Sequence, residues 1–368
     1  MIYADNAATT KLDMDAFEAM RPFLLEEYGN ASQPYSFSRT SRRALKDARM
    51  TIAECIGALP EEIYFTSGGT ESDNWAIKMG AGCEGEVITS SIEHHAVLNS
   101  CRALERAGRS VSYLPVTREG IVCLETLESV ISERTKLVSI MYVNNEVGSI
   151  QPIRELARAA RQRGSCFHTD AVQGVGHIPI NVQEAGVDML SASGHKFNGP
   201  KGVGFLYIKN GTGISAFMDG GSQERQYRAG TENVAAIAAM AVALRKNCLA
   251  LGEAREHLGR LERMILDRLR LSGVDFIRNG GGKGIPGNMS LSFRTMDGET
   301  LLHRLDLKGI CVSTGSACDG TKTQVSHVLR AMKVPLEYAR GTIRISLGVR
   351  NTEEEALRIA QSLIDILK

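Results

Sequence analysis

The sequence predicts an α/β protein: a large domain with a mostly parallel seven-stranded sheet, followed by a smaller α+β domain. Three observations predict it. Seven short β-rich runs lie between residues 63 and 208, and helical patterns separate most of the early ones; strand–helix alternation argues for a parallel sheet covered on both faces. The texture changes after about residue 250, where charged helices and isolated strands replace the alternation. The chain has 368 residues, 43% hydrophobic and 23% charged, enough to bury a large core in two domains, or three.

Taken in order, Ala44, Ala48, Ile52 and Ile56 recur at helical spacing, and residues 63–66 read as a strand ending at Ser67-Gly68-Gly69. Further strands are expected at 87–89, 111–114, 137–143, 165–169, 189–192 and 203–208, with helices at 96–107 and 153–163. Parallel sheets bind ligands at the carboxyl ends of their strands. The second part begins with a charged helix over 254–271 and a turn at Asn279-Gly280-Gly281-Gly282. It continues with a strand at 289–293, a helix at 299–308, a strand at 342–347 and a last helix at 353–367. The division places residues 15–250 in the large domain, and 1–14 with 251–368 in the small one.

Composition excludes several functions. Lys+Arg number 43 and Asp+Glu 42, a net charge of +1, so no long-range field draws nucleic acid or an anionic membrane. No stretch approaches the roughly 20 apolar residues of a membrane helix; the most apolar one, 234–244, ends at Arg245-Lys246. The N-terminus carries no basic or apolar leader region, so a cytoplasmic protein is expected. The eight cysteines are scattered with no C-x-x-C pair, which indicates no zinc site and suggests reduced thiols. For all but Cys318 a small buried hydrophobe is the plain reading.

Four segments carry chemistry. Lys196 lies in Ser191-Ala-Ser-Gly-His-Lys-Phe-Asn-Gly-Pro, just after an apolar strand and among small residues; a desolvated lysine there can attack an aldehyde, against the alternative of a surface lysine. Thr66-Ser67-Gly68-Gly69-Thr70 follows a strand and opens a helix, where backbone N–H groups favour a phosphate, although a plain capped helix has the same pattern. Asp170, in His168-Thr169-Asp170-Ala171-Val172-Gln173, stands at a strand end. It can pair with a protonated pyridine nitrogen with Gln173 near the ring's phenolic oxygen, or simply cap a helix. In Ser91-Ile-Glu-His-His an imidazole can stack on a ring and shuttle protons, or satisfy a polar group near the core.

These segments, with Tyr3-Ala-Asp-Asn-Ala-Ala-Thr-Thr, Gly29-Asn-Ala-Ser, Tyr142-Val-Asn-Asn-Glu-Val-Gly, Arg228-Ala-Gly-Thr-Glu-Asn and Ile343-Arg-Ile-Ser-Leu-Gly, occur in an order that resembles the cysteine desulfurases of the class V aminotransferase group, fold-type I of the pyridoxal-phosphate (PLP) enzymes. The resemblance covers essentially the whole chain and implies its roles position by position. Lys196 matches the Schiff-base lysine. Asp170 and Gln173 match the groups on the pyridine nitrogen and phenolic oxygen, and His94 matches the ring-stacking histidine and proton carrier. Gly69, Thr70, Ser193 and His195 match the phosphate cradle, and Thr231 resembles a phosphate contact given by the partner subunit, which implies a homodimer. Asn145 and Arg344 resemble the pair that receives the substrate carboxylate, a role suited to the arginine fork.

Cys318, in Ser313-Thr-Gly-Ser-Ala-Cys-Asp-Gly-Thr-Lys, matches the nucleophile of the long-loop subgroup. Its Gly-, Ser- and Thr-rich surroundings predict an exposed, poorly ordered loop over about 316–325, with Lys322 favouring a thiolate and Asp319 opposing it. Asp-Gly-Thr-Lys stands where the family usually has small hydroxylated residues, which bears on acceptor choice. The expectation is conversion of L-cysteine to L-alanine with the sulfur held on Cys318 and passed to an acceptor such as an iron–sulfur scaffold. No resident metal is expected, and the sequence leaves open whether Cys318 ever ligates a transferred cluster. Another class V PLP enzyme, or a PLP-binding scaffold that recruits assembly proteins, are the alternatives.

Overall fold

The computed structural model describes residues 1–80, 82, 85–281, 284–314 and 325–368. In chain order its strands are β1 (Ile2–Tyr3), β2 (Ile63–Thr66), β3 (Glu86–Ser90), β4 (Val111–Leu114), β5 (Thr135–Ser139), β6 (Cys166–Asp170), β7 (Met189–Ser193), β8 (Gly204–Ile208), β9 (Phe276–Asn279), β10 (Asn288–Phe293), β11 (Ile310–Cys311) and β12 (Thr342–Ser346). The central sheet has seven strands in the order β2-β8-β7-β6-β5-β3-β4. β4, β3, β5, β6 and β7 pair in parallel, and β8 runs antiparallel to both β7 and β2. Only one 3₁₀ turn, Gly194–Lys196, lies between β7 and β8, so the chain returns after a short connection, and a short return makes an antiparallel neighbour.

Successive residues of these strands bury opposite faces. Ile88, Val138, Leu190 and Phe205 enter one core with Ile52, Leu156, Met240 and Leu244. Val87, Leu137, Met189 and Leu206 enter another with Trp75, Val97 and Leu104. The period of two explains why the strands read as continuous apolar runs: helices cover both sides. A third core unites Ile2, Ala4, Leu261, Ile265, Leu291, Ile345, Ile359 and Leu363 around the antiparallel sheet β9-β10-β12. Among the described residues no single helix is long and apolar enough to cross a membrane.

The second-half elements lie within a few residues of expectation, and Glu353–Leu367 matches it. Three details differ. The strand expected to reach residue 143 ends at Ser139; the Glu93 carboxylate takes the Met141 N–H at 3.0 Å, and the chain turns away towards Asn145. Asn279, expected in a turn, closes β9, and its amide donates to Ser290 and Ser292. The helix Met14–Leu25, capped by Asp13, and the two-residue strands β1 and β11 left no clear period in the sequence.

Candidate active site

A cleft of about 340 Å³ opens at the carboxyl ends of the parallel strands. Short segments deliver its lining. β2 ends at Thr66, and Gly68 and Gly69 lead into the helix Gly69–Gly80, with Thr70 on its first turn. The helix N-terminus can approach an anion because small residues bring backbones together. A Cβ on Gly204 of β8 would strike Gly68 Cα at 2.7 Å, and Gly68 itself has φ +148°. β7 ends at Ser193, which is buried, and a short turn carries His195 and Lys196 into the cleft. The Lys196 Nζ donates to the carbonyls of Ala7 and Ala8 at 2.7 and 2.8 Å. Thr9 Oγ1 lies 3.1 Å from His195 Nδ1.

Asp170 is the last residue of β6 and is 5% exposed. One of its oxygens accepts the Val172 N–H at 2.9 Å. Burial pushes its carboxyl up to about 6, opposed by that hydrogen bond and the nearby Lys196 charge. Such a carboxyl gains from a cation placed against it, as a protonated pyridine nitrogen would be. Gln173 donates to the Ala7 carbonyl at 2.8 Å. His94 caps the helix His95–Arg106 by accepting the Ala96 N–H on Nδ1 at 3.1 Å. Its ring opens onto the cleft, yet desolvation, then the charges of Lys196 and His95, push it down to about 4. The neutral ring therefore carries its proton on Nε2. His95 faces elsewhere, with its ring centroid 4.9 Å from that of His327, as expected for adjacent residues.

Arg344, in β12, crosses from the second sheet to line the cleft. It is 6% exposed; Nη1 donates to the Asn145 carbonyl at 3.0 Å and Nη2 to Asp5 at 2.7 Å. Its Nε is buried without a hydrogen-bond partner, a state that a carboxylate ligand would relieve. Ser313 and Thr314 complete that wall, and Ser313 pairs with the Arg344 backbone.

The cleft thus gathers Gly69, Thr70, His94, Asn145, Asp170, Gln173, Ser193, His195, Lys196 and Arg344. Thr231 is exposed and lies outside it, in a separate depression with Ser67 and Arg228. Cys318 lies outside the described residues. The lining residues with no role assigned from the sequence are Ala7, Ala8, Asp73, Met141, Val143, Val172, Ser313 and Thr314. Asp73 is 1% exposed and its carboxyl is held well above the usual range, first by burial and then by Asp170; its place two residues after Glu71 on a capped helix gave no signal. The donors, the buried acid and the lysine fit a phosphorylated pyridine aldehyde.

A model of the aminotransferase class-V family matches residues 2–359. The chain is 47% identical to the cysteine desulfurase IscS of Dictyoglomus turgidum, over all of this chain and 95% of that protein. It is 43% identical to the cysteine desulfurase IscS of Methanosarcina thermophila, over all of this chain and 92% of that one. Among solved structures, a NifS-like protein superposes with a TM-score of 0.93 at 39% identity, covering 100% of this chain and 99% of its own. SspA in complex with cysteine superposes with a TM-score of 0.84 at 34% identity, covering 96% and 100%.

Proposed function

The chain belongs to the aminotransferase class-V family, and from that premise we propose that it is a PLP-dependent cysteine desulfurase. It converts L-cysteine to L-alanine, holds the sulfur as a persulfide on Cys318 and passes it to an acceptor protein for iron–sulfur cluster or thio-cofactor synthesis. The observation that carries this reading is one cleft containing a lysine amine, a buried carboxyl and an arginine with an unused buried donor. Full-length relatives named cysteine desulfurases support it.

Gly69, Thr70, Ser193 and His195 hold the cofactor phosphate in this reading, joined by Thr231 from the second copy of a homodimer. Asp170, Gln173 and His94 hold the ring. When bound, PLP supplies an aldehyde that captures an amine and a ring that stabilises negative charge at the substrate's α-carbon. The Arg344 guanidinium, with Asn145 beside it, binds the substrate carboxylate and so fixes which bonds face Lys196. The Ala7 and Ala8 carbonyls orient Lys196 Nζ, which as a free amine takes the α-proton. The Cys318 thiolate attacks the substrate sulfur; a sulfur–sulfur bond forms as the carbon–sulfur bond breaks, its electron pair stays with the substrate's β-carbon, and protons from His94 Nε2 and the Lys196 ammonium complete alanine.

The tether of Cys318 supports its part. It lies four residues after Thr314, which lines the cleft. After that stretch of sequence Ser326 donates to Glu146 at 2.5 Å, and His327 Nε2 is 2.9 Å from the Glu93 carbonyl. Residues 15–250 are the cofactor-binding domain in this reading, and 1–14 with 251–368 the smaller domain bearing Cys318. The scattered, reduced cysteines favour a cytoplasmic enzyme.

The test is to incubate the PLP-loaded protein with L-cysteine and a thiol reductant and to assay alanine and sulfide together. Equal amounts are expected. Cys318→Ser should retain the cofactor spectrum and lose sulfide release; sulfide release at a substantial fraction of the wild-type rate in that variant overturns the assignment.

A further inference from the structure

Outside the cleft, two cysteines meet at the ends of neighbouring helices. Cys55 stands in the last turn of the helix Arg39–Ile56 and Cys248 in the last turn of the helix Val234–Leu249. Their thiols hydrogen-bond one another. Both are half-buried and line a second depression of about 590 Å³, with apolar walls from Val175, Ile178 and Pro179 and a charged rim that includes Arg245. None of the proposed chemistry uses either thiol. A sulfur pair in contact, open to small molecules and held by two separate helices, is a site for thiol–disulfide exchange.

We propose that Cys55 and Cys248 form a redox-active dithiol that a low-molecular-weight disulfide converts to an intramolecular disulfide joining the two helices. One of the two sulfurs attacks a sulfur of the reagent; the reagent's sulfur–sulfur bond breaks, and the first thiol leaves with the proton that cysteine gave up. The other cysteine's Sγ then attacks the protein sulfur of the mixed disulfide, forming the Cys55–Cys248 bond and releasing the second thiol with its own proton. The cysteine pair loses two electrons, and one small disulfide gains them as two thiols.

Both stand at helix C-termini, where the dipole disfavours a thiolate. The contact with Cys248, together with burial, pushes the Cys55 thiol far above its ordinary value, and the contact with Cys55 holds Cys248 below it. The bridge would also fix a support of the active site. Asn247, beside Cys248, donates to the Phe197 carbonyl at 2.9 Å, directly after Lys196.

The test treats folded, PLP-loaded enzyme with bis(2-hydroxyethyl) disulfide, blocks remaining thiols by alkylation and maps peptides without reduction. A cross-linked pair containing Cys55 and Cys248 is expected, lost on adding reductant. In Cys55→Ser and in Cys248→Ser the reagent should stop at a mixed disulfide on the remaining cysteine of the pair, with no cross-linked peptide. Wild-type enzyme in which both cysteines remain alkylatable overturns the proposal, as does bridging of either to a different cysteine or to a second chain.

Discussion

Arg344 and Lys196 serve the same cleft through different physics. Arg344 is buried with two of its nitrogens engaged, and its Nε is buried without a hydrogen-bond partner. Hydrogen bonds to charged groups are worth about 1.5–3 kcal/mol each. Arg344→Lys keeps the charge but loses the fork, so kcat/KM for L-cysteine should fall about tenfold to a hundredfold, chiefly through KM. Steady-state kinetics check this, and an unchanged KM would remove Arg344 from the substrate site. For Lys196 the expected outcome is covalent: borohydride reduction of the yellow holoenzyme should fix the cofactor to the Lys196 peptide. Mapping to any other lysine sinks the assignment.

Among the elements, the contact of β8 with the turn before the helix Gly69–Gly80 is the demanding one at the site. Gly204 faces both the Ala192 carbonyl and Gly68, so an added methyl has no room without moving backbone. Overpacking of this kind costs about 1–3 kcal/mol. Gly204→Ala should lower apoenzyme stability by that amount in urea and speed cofactor release, since Gly68 and Gly69 form the phosphate approach. Gly213, with open space where its Cβ would lie, is the matching control and should tolerate alanine in both measurements. Two elements support the site from behind: Asn247 of the helix Val234–Leu249 holds the Phe197 carbonyl, and His177, in the segment after β6, has its Nε2 2.9 Å from that of Lys196.

For the whole molecule, pH acts through buried acids. Glu93 is fully buried between the Ser90 hydroxyl and the Met141 N–H, and burial raises it from 4.5 to about 8. The native state therefore holds this proton more tightly than the unfolded chain does. Its stabilising effect is fully present below about pH 4.5 and is lost as pH rises through about 8. Glu93→Gln should flatten that part of the stability–pH curve, so that the variant loses less stability than wild type between pH 5 and 8 in urea titrations. Equal losses would mean that Glu93 ionises at the same pH in both states. The exposed Thr231 motivates the second expectation at this scale, a homodimer by sizing with light scattering; a fully active monomer at micromolar concentration would refute the shared site.

Local chemistry was legible before any coordinates. Strand runs with period-two burial, the Gly68-Gly69 turn, Asp170 at a strand end and Lys196 after an apolar strand each follow from steric and hydrogen-bonding rules that act over a few residues. The order of the motifs then carried the resemblance to a whole family. What the sequence could not settle depends on residues far apart in the chain. Ala7 and Ala8 meet Lys196 across some 190 positions, Arg344 reaches the cleft from a second sheet, and Cys55 touches Cys248 only because two helices pack side by side. The short strands β1 and β11 stabilise each other only as a pair. Such contacts are set by how the layers close over their cores, and packing against distant partners leaves no local period to read.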